Sequence, residues 1–359
     1  VSLHPLIALA NDRDVKQAKG FRLAAEKLTG ASLEADYQAE VENSPRRSTR
    51  DLTHLGVRSG RRARQRQNNR DEKHLAEAIA RSATADGAEA LELPSGETLT
   101  IVDHGVPIRT AAPDKEKGES DPNAGVEDVP LLAVIGEDRL AVVVMKFIEP
   151  DSNRSGAGDT PLRLFLQGLA QAAAVDANRE ALKQEIAATT GRTIGDEAPA
   201  IILAASPQYW LLCRKREAQK GAGWIRELER ISREIGESIG NEVFFTALST
   251  DTSDGSVGWS YDDEGAVLTG PVAFDAAWET GAGKLKPKPK ARKADPADEL
   301  VEADFSRPVR AYNIRESFQP GDRIAHKTLG EGVVQGVAGR GKVAVLFGDE
   351  KKLLIHERA

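Results

Sequence analysis

The chain has one cysteine, Cys213, in 359 residues. That scarcity excludes an intrachain disulfide framework and a cysteine-based zinc site, and a lone cysteine here suits a small, buried apolar position on a helix. Long hydrophobic runs are missing as well. Leu140 to Met145 is among the longest, far short of the roughly 20 residues that cross a bilayer. No charged-then-apolar leader opens the sequence, so a soluble cytoplasmic protein with no membrane partner is the expectation. No internal repeat is apparent. The aromatic residues Tyr209, Trp210 and Trp224 suit a helical core better than a base-stacking platform.

What is present is apolar content of 40%, enough for a sizeable core, and a length that allows two to three domains. The net charge of -7 is unevenly distributed. Between Arg46 and Arg70, nine arginines stand against a single acid, Asp51. Of these, Arg58, Arg61, Arg62, Arg64, Arg66 and Arg70 are candidates to follow a phosphate backbone. Lys284, Lys286 and Lys288 of a proline-interleaved basic run are further candidates, because basic segments release counterions when they bind nucleic acid. The alternative for both runs is a solvated basic segment without a specific partner.

Hydrophobic spacing divides the chain into four regions. Residues 1–70 read as a helical lead-in of low stability followed by an arginine-rich, partner-ordered segment. Residues 71–270 read as one α/β domain. It opens with a helix carrying Leu75, Ala78 and Ile79 and continues with a hairpin around Pro94-Ser95-Gly96. Two buried strands span 129–147, and Thr160-Pro161 starts a capped helix with a break near Asp176. Next come a strand at 200–204, helices after Ser206-Pro207 and around Trp224, and a strand at 242–248. Residues 271–305 form a Pro/Lys-rich linker.

Residues 306–359 read as a small β-barrel. Residues 318–356 alternate apolar and polar positions between glycine turns, with Ile324, Val333, Val334, Val337, Val343, Val345, Phe347, Leu353 and Ile355 as interior candidates. Gly321-Asp322-Arg323, His326, Gly330-Glu331-Gly332-Val333-Val334, Lys342-Val343-Ala344-Val345 with Phe347, and Lys352-Leu353 carry a resemblance to the Tudor-like barrel at the carboxyl end of bacterial UvrD and PcrA helicases. The likeness extends more loosely to the polymerase-interacting domain of CarD and Mfd. It implies docking, to RNA polymerase or another protein, rather than chemistry. His326 reads as a turn-stabilising residue, since no second histidine or cysteine accompanies it.

The order of elements over residues 71–248 resembles the restriction-endonuclease-like fold of PD-(D/E)xK nucleases. The fold class expected is therefore a mixed central sheet flanked by helices, plus a small all-β Tudor/SH3-like barrel. In such nucleases two acids hold a divalent metal that activates water, and a lysine beside them orients that water or neutralises developing charge. Lys146 takes the lysine position. The Glu-x-Lys place reads Val144-Met145-Lys146 and the strand aspartate falls at Val129 or Pro130, so both principal ligands are absent. Asp128 and Glu149 are the acids that could have migrated in, while Glu77 and Gln167 stand at the remaining family-like positions. Lys146 otherwise snorkels to solvent from a buried strand. The loop Ser155 to Asp159 could seat a phosphate but lacks a P-loop lysine, and Asp159 reads as a helix-start residue.

The reading that follows is a DNA-binding accessory protein with an eroded nuclease-like domain, without cofactor, and a docking barrel. One alternative is an active Mg²⁺- or Mn²⁺-dependent nuclease using Asp128, Glu149 and Lys146. The other is a protein scaffold that does not bind nucleic acid.

Overall fold

The computed structural model describes residues 3–58, 72–85, 87–110, 121–153, 159–217, 223–250, 257–279, 300–338 and 341–357. Contacts divide the chain into two compact units, 1–285 and 286–359. Among the described residues of the first unit, seven strands form one mixed sheet in the order β1 (Leu91–Glu92), β2 (Thr98–Val106), β3 (Val129–Ile135), β4 (Arg139–Lys146), β5 (Ala200–Ala205), β6 (Val243–Ser249) and β9 (Ala273–Ala276). β1 to β4 run antiparallel in sequence order, β4, β5 and β6 are parallel, and β9 returns antiparallel on β6. The register sets Lys146 opposite Ala205 at the end of β4.

Side chains alternate across a strand, so an unbroken apolar run means burial on both faces. Val142 and Val144 of β4, with Ile201 and Leu203 of β5, pack on the face covered by α6 (Pro161–Ala177). Ala141, Val143 and Met145, with Ile202 and Ala204, pack on the opposite face under α5 (Glu72–Ala83) and a separate hairpin, β7 (Trp259–Asp262) and β8 (Gly265–Leu268). α6 begins as its sequence requires: the Thr160 hydroxyl accepts the Arg163 amide at 3.2 Å and Pro161 follows at the first helical position. It ends at Asn178, where α7 (Arg179–Thr190) turns away. Ser206, expected to cap the next helix in the same manner, bonds back across to Ile148, accepting its amide at 2.9 Å and donating to its carbonyl at 3.0 Å.

The amino-terminal residues, expected as a helical lead-in of low stability, are helical and built into the main core. They form α1 (Pro5–Ala10), α2 (Arg13–Lys16), α3 (Phe21–Lys27) and α4 (Gly30–Asn43), and Leu6, Val15, Phe21, Leu33 and Tyr37 are buried in the same core as α6. Helices this short are marginal alone, and long-range polar contacts hold them. The Thr160 hydroxyl donates to the Val15 carbonyl at 2.6 Å, and Arg230 of α9 (Gly223–Ser238) donates to the carbonyls of Ala25 and Leu28 at 2.9 and 3.0 Å. His4 and Glu40, both buried, lie 2.6 Å apart, and the other ring nitrogen of His4 is 3.2 Å from Asn123 Oδ1. The sheet also passes the expected limit at residue 270, because β9 pairs with β6 through Thr246 opposite Ala276.

In the second unit, the described strands are β10 (Arg310–Ala311), β11 (Arg323–His326), β12 (Gly330–Val337), β13 (Lys342–Phe347) and β14 (Glu350–Ile355), neighbours in that order in one five-stranded sheet. Phe318, Ile324, Val334, Val343, Val345 and Phe347 form its core. Val337, Leu353 and Ile355, expected inside, are exposed, and Val333 is only partly buried. The reason is parity. A bulge between Val334 and Gly336 shifts the register of β12, and β14 turns Leu354 inward rather than its neighbours. His326 accepts the Thr328 amide at 3.3 Å, as a turn-stabilising residue does. Val301 bonds Gln335 at 2.9 Å, so this unit takes in residues assigned to the linker.

α6 lies close to the sheet at Gly168, where a β-carbon would come within 2.7 Å of Ile201 Cγ2 and 2.9 Å of Leu203 Cδ2. Gly168→Val is expected to lower stability by about 1–3 kcal/mol through overpacking, read by urea denaturation. A second expectation concerns pH. Burial pulls the His4 pKa down, but the bonds and charge of Glu40 and the bond to Asn123 outweigh it, so the net shift is upward from 6.5. The folded state therefore holds this proton more tightly than the unfolded chain. Its contribution is full below about pH 6.5 and is lost as pH rises through the raised value. His4→Gln should flatten that part of a stability-against-pH curve.

Candidate functional site

The central strands offer no polar side chain along their buried length, so chemistry gathers where they end. The end of β2, the start of β3 and the end of β4 meet the first turn of α5 and one face of α6 around a cleft of about 550 Å³. Its basic lining is Arg58, Lys73, His74, His104, Arg109 and Lys146. Glu72, Glu77, Glu127 and Asp128 supply the acids, and Gln167 and Gln171 project from α6.

Lys146 is partly buried and does not simply reach to solvent. Its ammonium lies 3.4 Å from Asp159 Oδ1 and 3.9 Å from Glu72 Oε1. Asp159 also pairs with Arg163 at 3.3 Å, and Glu72 accepts the Phe147 amide at 3.3 Å. The lysine is thus held between the start of α5 and the residue ahead of the α6 cap. Asp128 pairs with Arg58 instead, and Arg58 donates further to the Gly105 carbonyl at 3.4 Å. Arg109 pairs with Asp121, and its carbonyl accepts from the buried Arg47 at 2.6 Å. Burial lowers the Arg47 pKa against the pull of Asp128 and Glu185.

Of the acids considered as migrated ligands, Asp128 lines the cleft but is engaged by Arg58, and Glu149 sits in the turn after β4 outside the lining. Glu77 is buried and turned to the hairpin, where it accepts the Ala266 amide at 3.2 Å. Gln167 does line the cleft. Arg58 is the member of the six-arginine set that lies among the described residues. Arg61, Arg62, Arg64, Arg66 and Arg70, together with Lys284, Lys286, Lys288 and the loop 154–158, lie outside them. Arg46 and Arg47 act as clamps on main-chain carbonyls, those of Ala177 and Thr53 among them.

Sequence reasoning missed Glu72, His104 and Arg109 as cleft residues and assigned Asp159 only to the helix start. Each comes from a different element, so no spacing joins them. The strand-end position of Lys146 and the first-turn acid of α5 were the signals available. As arranged, the donors do not suit a divalent ion. The acid nearest the expected strand position is paired with an arginine, those beside Lys146 are paired with the lysine, and among the described residues no group of three His, Cys, Asp or Glu side chains could hold a metal. Searches against protein families, curated proteins and solved structures each found no match.

The role of Glu77 can be checked directly. Glu77→Ala leaves the buried Ala266 amide without this acceptor and is expected to cost about 1–3 kcal/mol in denaturant unfolding. Glu77→Gln keeps an acceptor oxygen and should retain most of the stability. A ligand role in metal chemistry would instead make the two variants alike in stability.

Proposed function

We propose that the first unit holds nucleic acid in the cleft around Lys146, on a nuclease-like scaffold whose metal centre has eroded, and that the carboxyl-terminal unit docks another protein, RNA polymerase being the partner its resemblance suggests. The carrying observation is the convergence of Arg58, Lys73, His74, His104, Arg109 and Lys146 on one cleft at the ends of β2, β3 and β4. The reading is supported by the mixed order of elements, in which α5, the antiparallel strands β1 to β4, the helices α6 and α7 and the parallel strand β5 follow one another.

The ion pairs explain how such a cleft can receive a strand. Arg58 and Asp128 are each about a third exposed, at 34% and 31%, and pairs of this kind contribute only about 0–1 kcal/mol. Phosphate oxygens offer the same guanidinium a comparable charge-assisted bond. Exchange of carboxylate for phosphate therefore costs little, and released counterions supply the driving force.

Fluorescence anisotropy with labelled DNA and RNA oligonucleotides tests the reading. Binding should weaken steeply with salt, and Lys146→Ala and Arg109→Ala should each lower the slope of log K against log salt by about 1. Binding that is absent at low salt, or unmoved by salt, would overturn nucleic-acid recognition. Cleavage in Mg²⁺ or Mn²⁺ that Lys146→Ala abolishes would overturn the eroded centre in favour of an active nuclease.

A further inference from the structure

Beside the main cleft, under α1 and α4, lies a second chamber of about 100 Å³. Val126, Glu127, Gln167 and Gln171 line both spaces, so the chamber adjoins the cleft. Arg163, Gln167 and Gln171 succeed one another at four-residue steps on α6 and form one ridge along it.

Three buried polar atoms on that ridge have no hydrogen-bond partner: Arg163 Nε, Gln167 Oε1 and Gln171 Oε1. Gln171 itself is only 7% exposed. More than about nine in ten buried polar groups are paired, and leaving one unpaired costs about 1–3 kcal/mol. Three on a single ridge, all on residues lining one chamber, mark a place shaped for a polar guest. Two of the atoms accept and one donates. Ala170 and Ala174 flank the ridge on α6 itself, and Ile7, Ala10 and Val126 offer apolar surface from other segments. Gly125 keeps that wall open: its φ is +92°, and a β-carbon there would come within 2.8 Å of Ile7 Cγ2.

We propose that this chamber binds an amino-bearing nucleobase, adenine or cytosine, either turned out from a strand lying in the main cleft or taken up free. An exocyclic amino group supplies two N–H donors for the glutamine oxygens, and the adjacent ring nitrogen accepts from Arg163 Nε. A glutamine amide reads an adenine edge by this kind of donor and acceptor match. Apolar surface from Ile7, Ala10 and Val126 suits the ring. The strand-borne form rests on the nucleic-acid reading above; the free form does not.

The full chain is titrated with oligonucleotides carrying one 2-aminopurine, whose fluorescence rises when the base leaves the stack, while anisotropy follows strand binding separately. In parallel, free adenosine, cytidine and uridine are titrated by calorimetry. The wild-type protein should raise 2-aminopurine fluorescence and bind adenosine or cytidine roughly tenfold or more tightly than uridine. Gln171→Leu should remove both effects, and Gln171→Glu, which keeps an acceptor, should preserve them. Gln167→Leu serves as the second variant if Gln171→Leu does not fold. Strand binding without a fluorescence rise, together with no nucleoside binding, would overturn the chamber while the nucleic-acid reading stands. Should no strand bind at low salt, that reading fails alone. Gln171-dependent nucleoside binding would then sustain a free-base site, and its absence would end the proposal.

Discussion

Three neighbouring strands buried on both faces constrain everything else in the first unit. β3, β4 and β5 have no solvent face on which to carry charge, since an unpaired charge inside such a layer costs far more than the sheet returns. Polar groups can therefore appear only where the strands stop. Lys146, the last residue of β4, is free of that restriction, and the first turn of α5 and the start of α6 converge on the same end. The cleft is a consequence of where a dry sheet ends.

Several polar groups that stabilise the fold lie outside the cleft lining. Arg47, His4 and His54 are buried, and each ties distant segments together. His54, for example, has one ring nitrogen 2.7 Å from Glu185 and the other 3.1 Å from Asn178. Removing one partner from such a buried hydrogen bond leaves the other unpaired, at about 1–3 kcal/mol. The pairs at the cleft are more exposed and individually weak, so they can be exchanged without unfolding anything. That division is what a binding surface needs: a frame fixed by costly contacts and a lining held by cheap ones.

Much of the architecture was legible because hydrophobic periodicity reports burial directly. The strand pair at 129–147, the Thr160-Pro161 helix start and the break after Asp176 all follow from local rules that tertiary contacts did not override. The amino-terminal helices were misjudged for the opposite reason. Their apolar residues are few per helix, and their stability comes from α6 and α9, which lie far away in sequence. The arginines at 46 and 47 open the basic run, and only the fold shows that their guanidinium groups are taken up by main-chain carbonyls. In β14, two adjacent leucines made the inward face ambiguous, and only pairing with β13 decided for Leu354.

The sequence by itself determined that the chain builds an α/β unit and a separate small β unit, and that one buried strand ends in Lys146. These are local properties, set by side-chain type and period. The tertiary structure alone decided which carboxylates meet that lysine, that Arg58 occupies Asp128, that Glu77 is tied to the hairpin, and that the ridge of α6 lines a second chamber beside the cleft. Those outcomes depend on contacts between residues many positions apart, and spacing along the chain carries no record of them.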